Sequence, residues 1–171
     1  METAIKNIVV PVDFSDASER AASYAAALAR RLDASIHLIH VLEPSEMVTG
    51  PFEFHEVPTP AQLDRVYWGA RKRLIRLGEK VAAGQPVSTE VRYGVPFRII
   101  AAAVIDYGAD LVVMATHGRS GLSHLVMGSV AEQVIQSAAC PVLVIRDCGQ
   151  VHVRRTGSVP DWAETESACV S

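Results

Sequence analysis

Residues able to do chemistry are concentrated in one glycine-containing stretch, Ala115-Thr116-His117-Gly118-Arg119-Ser120-Gly121-Leu122-Ser123-His124-Leu125-Val126-Met127-Gly128-Ser129. Glycines let backbone amides approach an anion closely, and a helix opening at Ser129 would add unpaired amides and the positive end of its dipole. Phosphate binding is the chemistry this combination implies. The chain contains neither a Walker A pattern nor a complete Gly-x-Gly-x-x-Gly fingerprint, so the common nucleotide loops are excluded and a rarer one is left. Ser129 and Glu132 have the spacing of a capping box, a role compatible with ligand contact by the same hydroxyl. Arg119 reads equally as a phosphate contact and as a solvated side chain. His117 and His124 have no identifiable partner for acid–base work and read as loop residues. Gly118-Arg119-Ser120-Gly121 falls short of the Gly-x-Ser-x-Gly nucleophile elbow, so hydrolase chemistry is not expected.

The elements that must position this stretch can be read from hydrophobic periodicity. Ile8-Val9-Val10, within Lys6 to Asp13, is a short apolar run suited to a strand buried on both faces. Asp13 follows it, and either caps the next helix or contacts a ligand. Asp16 and Glu19 form a capping-box pattern, after which Ala21, Tyr24, Ala25, Leu28 and Leu32 recur at helical spacing. Ser35 to Leu42 is a second strand, on which His40 reads as a satisfied core histidine. Glu43 to Pro58 is a long loop with three prolines and a glycine, of the kind that often forms a functional lid. Thr59-Pro60-Ala61-Gln62 opens a helix with the stripe Leu63, Val66, Tyr67, Ala70, Leu74, Leu77 and Val81, and Gly84 ends it. Val87 to Tyr93 alternates as an edge strand does, and Gly94-Val95-Pro96 opens a helix closed by Gly108. Leu111 to Ala115, Ser129 to Ala139 and Val142 to Ile145 complete the pattern as strand, helix and strand. Alternating elements of this kind predict an α/β fold, a doubly wound five-stranded parallel sheet of order 3-2-1-4-5 with helices on both faces. A crevice then opens beyond the carboxyl ends of strands one and four, flanked by Asp13 and the glycine stretch.

At these residues the chain resembles the universal stress protein family. Nucleotide-binding members of that family carry Gly, two residues, Gly, nine residues, Gly and Ser or Thr. This chain has Ala115, two residues, Gly118, nine residues, Gly128 and Ser129, with alanine standing for the first glycine. The resemblance runs from residue 4 to residue 146 and includes Val10-Pro11-Val12-Asp13, Ser129-Val130-Ala131-Glu132 and Cys140-Pro141-Val142-Leu143-Val144-Ile145. It implies a nucleotide-binding domain over residues 1–147, with Asp13 on the ribose or adenine side and Pro11, Val12 and Val41 lining the base pocket. Met114 and Ala115 would flank the nucleoside, and Gly118, Arg119, Gly128, Ser129 and Val130 would lie near the phosphates. It further implies ATP, or ADP or AMP, accompanied by magnesium or manganese. A dimer acting in stress survival and signalling, with at most slow hydrolysis, is the expected form.

Composition bounds what remains. A chain of 171 residues, 49% apolar and 20% charged, suits one folded domain and a tail, read here as residues 148–171. The net charge of −3 supplies no positive field for a polyanion, so nucleic-acid binding is not expected. No apolar run approaches the roughly 18 residues of a membrane span, and METAIKNIVV lacks the apolar core of a signal peptide, so a cytoplasmic location without membrane contact is expected. Cys140, Cys148 and Cys169 are widely spaced and read as free thiols in a reducing compartment, Cys140 packed and inert. An ATP-binding regulatory protein is the leading reading. The alternatives are a nucleotide-independent stress protein acting through its dimer surface and tail, and an enzyme. No carboxylate set for two-metal chemistry is apparent, so neither catalytic residues nor a protein metal site are expected. The apolar strand Val142 to Ile145 would end the sheet, and pairing with a second copy would cover it.

Overall fold

Strand and helix alternate along the chain as β1 (Asn7–Pro11), α1 (Asp16–Leu32), β2 (Ser35–Leu42), α2 (Pro60–Ala82), β3 (Val87–Tyr93), α3 (Pro96–Asp106), β4 (Leu111–Ala115), α4 (Ser129–Ser137) and β5 (Val142–Ile145). The computed structural model describes residues 4–43, 59–82, 84–116 and 128–146. All strand pairings are parallel and the sheet order is β3-β2-β1-β4-β5, as the alternation predicts. Successive side chains on a strand face opposite sides. Ile8 and Val10 therefore join Leu111 and Val113 against α1 and α2, while Val9, Val112 and Met114 pack on the other side against α3 and α4. This two-sided burial explains why β1 and β4 are apolar without alternation.

Helix α1 departs from the sequence reading at its cap. The cap of α1 is Ser15, whose extended backbone places its side chain to accept from the Ser18 amide; Asp16 and Glu19 fall in the first turn instead, where they complement the helix dipole. Its buried arc is made of alanines, Ala21, Ala22, Ala25, Ala26 and Ala29, and Tyr24 is 50% exposed on the flank of that arc. The box at α2 forms as expected, with the Thr59 amide donating to Gln62 Oε1 at 2.7 Å and the Gln62 amide to Thr59 Oγ1 at 3.4 Å. Val66 is nevertheless exposed, and burial on α2 begins at Ala70. The sheet's outermost strand ends at Tyr93, which Tyr67 stacks on at 5.9 Å. Helix α4 stops at Ser137, short of the expected Ala139, because Ala138 is already extended before Pro141. Beneath α3, Gly108 turns the chain at φ 54°.

At the sheet's β3 edge, Arg92 joins Glu90 at 2.8 Å and Asp106 at 2.7 Å, and the Tyr107 hydroxyl donates to Glu90 at 2.6 Å. This ties β3 to α3, and hydrogen bonding from Arg92 holds the Glu90 carboxyl below its ordinary range. Helix α2 approaches the sheet through Gly78, where an added methyl would meet Thr89 Cγ2 at 3.0 Å, whereas Gly69 on the same helix has open space. We expect Gly78→Ala to destabilise the protein by about 1–3 kcal/mol through overpacking. Gly69→Ala should instead stabilise it by about 0.5–1 kcal/mol through helix propensity. Chemical denaturation of the two variants checks both signs.

Candidate functional site

Beyond the carboxyl ends of β1 and β4 lies a crevice of about 370 Å³, within the range of small-molecule sites. Pro11, Val12 and Asp13 form one wall with Val41 from β2, and Met114 and Ala115 form the floor at β4. Gly128, Ser129 and Val130 close the far side at the start of α4. Every expected site residue among the described ones therefore borders one cavity. Gly118 and Arg119, together with His117 and His124, lie outside the described residues.

The far side is built to meet an anion. Gly128 is extended at φ −65° and ψ 145° and is the residue that caps α4. Its amide donates to the Thr116 carbonyl at 2.8 Å, so the two ends of the intervening stretch are joined directly. The expected capping box of Ser129 with Glu132 does not form: the helix starts one residue earlier than that box requires, no side chain caps it, and the Glu132 amide bonds to the Gly128 carbonyl at 3.1 Å. Ser129 is instead the first helical residue, exposed at the crevice. The amides of a first helical turn have no acceptor within the helix, and the dipole adds partial positive charge there.

The near side is a tight polar turn. Val12 continues the β1–β2 ladder, its amide donating to Ile39 at 2.8 Å. Asp13 Oδ1 accepts from the Ser15 amide at 3.0 Å and from the Ser15 hydroxyl at 2.6 Å, while the Asp13 amide donates to Ser18 Oγ at 3.3 Å. The carboxylate thus organises the entry to α1 and also borders the cavity, so the two readings of Asp13 coexist. Phe14 completes the turn at φ 63°, a conformation costing a bulky residue about 1–3 kcal/mol that its surroundings must offset. His40 is 2% exposed, with its imidazole Nδ1 at 2.6 Å from the Val12 carbonyl. It is satisfied as expected, yet it also lines the crevice.

Sequence reasoning did not foresee His40, Glu43, Thr116 or Ile100 as wall residues. Thr116 and Glu43 follow strand ends, and position relative to the crevice was the one available signal. Cys140 is partly buried against the α3–α4 side, and burial pushes its thiol up. Cys148 and Cys169 lie outside the described residues. Among the described residues, no group of three His, Cys, Asp or Glu is arranged to hold a metal ion.

A 3-2-1-4-5 parallel sheet with its cavity at the point where connections diverge defines a doubly wound α/β protein of the ligand-binding type. The profile of the universal stress protein family matches residues 4–146, and the chain belongs to that family. It is 37% identical over 145 residues to a universal stress protein of Methanocaldococcus jannaschii, MJ0531, covering 85% of this chain and 84% of that one. The solved structure of a second protein of that organism, MJ0577, superposes with a TM-score of 0.72 at 26% identity, covering 84% of this chain and 96% of the other. A universal stress protein of Archaeoglobus fulgidus, solved in complex with dAMP, shares the fold at a TM-score of 0.59 and 23% identity, covering 83% and 98% of the two chains. Among the described residues no helix is long and apolar enough to cross a membrane.

Because Gly128 rather than Ser129 is the cap, Ser129→Ala should leave the stability of the ligand-free protein within about 0.5 kcal/mol of the parent. Loss of a capping hydroxyl would instead cost about 0.5–2 kcal/mol. Denaturant midpoints of the two proteins separate these values.

Proposed function

We propose that this chain is an ATP-binding universal stress protein whose conformation or partner binding follows its nucleotide state, acting in the cytoplasm as a homodimer. The observation that carries the reading is the pairing of two unlike walls in one crevice. An apolar wall with backbone edges at Val12 and Val41 suits a nucleoside, and the opening turn of α4 suits phosphate. The dAMP complex of the Archaeoglobus fulgidus protein supports an adenine nucleotide as the class of ligand. On this reading Pro11, Val12 and Val41 hold the base, Asp13 meets the ribose or adenine edge, and Met114 and Ala115 lie under the nucleoside. Gly128, Ser129 and Val130 hold the phosphates, joined there by Gly118 and Arg119. ADP or AMP would use the same walls. A divalent ion, magnesium or manganese, enters with the triphosphate, held by phosphate oxygens and water and neutralising their charge. No residue is assigned a catalytic role.

A comparison of the two sheet edges supports the dimer. The β3 edge carries Glu90 and Arg92, and charged side chains protect an edge from pairing. The β5 edge, Val142-Leu143-Val144-Ile145, carries none and remains partly exposed throughout. A second copy pairing there gives a closed, two-fold assembly. Residues 148–171 are assigned to a separate tail following this edge.

Calorimetric titration tests the nucleotide reading. If the Ser129 hydroxyl donates to a phosphate oxygen, Ser129→Ala should weaken ATP binding by about 1.5–3 kcal/mol, roughly ten- to a hundredfold, and leave adenosine nearly unchanged. A parent protein that binds no ATP with magnesium would overturn the reading. Light scattering should give twice the chain mass for the parent and a monomer for Val144→Lys. A parent that stays monomeric as concentration rises would reject the β5 dimer.

A further inference from the structure

We propose that Phe14, braced by Arg73 of α2, is a positioning residue that sets the orientation of Asp13 toward a bound nucleoside; the proposal rests on the nucleotide reading above. Phe14 adjoins Asp13 and holds a φ of 63° that aromatic residues rarely adopt. A glycine would take this conformation without strain, so the ring must contribute something that the turn needs. Its centroid lies 4.3 Å from that of the buried His40, the planes tilted by 40°. The Arg73 guanidinium carbon stands over the same ring, 4.2 Å from its centroid, within cation–π range.

His40 in turn fixes the residue on the other side of Asp13. Its Nδ1 lies 2.6 Å from the Val12 carbonyl, and a carbonyl can only accept, so Nδ1 carries the proton and donates it there. Asp13 is thereby clamped from both neighbours, Val12 by His40 and by the ladder bond to Ile39, Phe14 by His40 and Arg73. The carboxylate that Ser15 orients is left little freedom to swing. Neither Phe14 nor Arg73 lines the crevice, so an effect of either on ligand affinity must pass through the turn. Arg73 thus gives α2 a hold on the nucleoside side of the site without touching it.

Adenosine titration by calorimetry on the full chain provides the test, with Phe14→Leu, Phe14→Tyr and Arg73→Gln compared with the parent. Leucine keeps apolar bulk and loses the aromatic face; tyrosine keeps the face. Phe14→Leu should weaken adenosine binding about tenfold and Arg73→Gln about threefold, with Phe14→Tyr within twofold, since a less preorganised site binds more weakly. The His40 imidazole proton resonances should move in Phe14→Leu and stay in place in Phe14→Tyr, which reports whether an aromatic face still packs on His40. In an Asp13→Asn background, Phe14→Leu should cost nothing further, because residues acting through one another are not additive. Full affinity in Phe14→Leu, or losses that add to that of Asp13→Asn, would overturn the proposal while leaving the nucleotide reading intact. A parent that binds no adenosine would remove both. Should Phe14→Leu fail to fold, the exposed Arg73→Gln variant decides, and unchanged affinity there overturns the clamp.

Discussion

The architecture depends on the junction of β1 and β4. These strands lie side by side in the sheet centre, yet the right-handed crossover rule sends the chain from β1 over one face to β2 and from β4 over the other face to β5. The connections must diverge, and the gap they leave cannot be filled by either helix layer. Helices cover both faces of the two strands, so Ile8, Val9, Val10, Val112 and Val113 are all fully buried. Side chains with chemistry are excluded from such strands by the cost of burying polar groups. They appear immediately past the strand ends instead, at Asp13 and Thr116.

The two sides of the crevice differ in electrostatic sign. Asp13 and Glu43 border it from the β1–β2 side, and the start of α4 borders it from the other. Carboxylates repel an anion, and a helix N-terminus attracts one. On the proposed reading, a nucleotide entering this field would be oriented before any specific contact forms, with its phosphates toward Ser129 and its nucleoside toward Val12 and Val41. The direct bond between the Gly128 amide and the Thr116 carbonyl holds the positive side in register with the end of β4, so the polarity is built into the backbone.

Periodicity was a sufficient guide to the sheet. Strand bounds such as Ser35–Leu42 and Val142–Ile145, and the order of all five strands, follow from where apolar runs and turn residues fall. The capping residues of α1 and α4 were misjudged by one position, Ser15 and Gly128 standing where Asp16 and Ser129 were expected, because a cap is defined by backbone dihedral angles and several neighbouring residues could have supplied it. Tyr24 and Val66 fit the helical stripe and are exposed, since a stripe shows which residues could face a core and not how far that core extends. The candidate site was legible where strand ends and glycine spacing marked it. The positive φ of Phe14 was not, because that conformation is signalled in a sequence by glycine or asparagine, and an aromatic residue adopts it only when tertiary contacts at His40 and Arg73 compensate.

On the proposed reading, an adenine nucleotide binds where β1, β4 and α4 converge. Nuclear magnetic resonance titration of the nitrogen-labelled full chain with ATP and magnesium examines this residue by residue. Saturable shifts are expected at the amides of Val12, Asp13, Val41, Ala115, Ser129 and Val130, with the β3 edge around Ser88 and Glu90 unmoved. An unchanged spectrum at millimolar ATP, or shifts confined to residues away from the crevice, would contradict it.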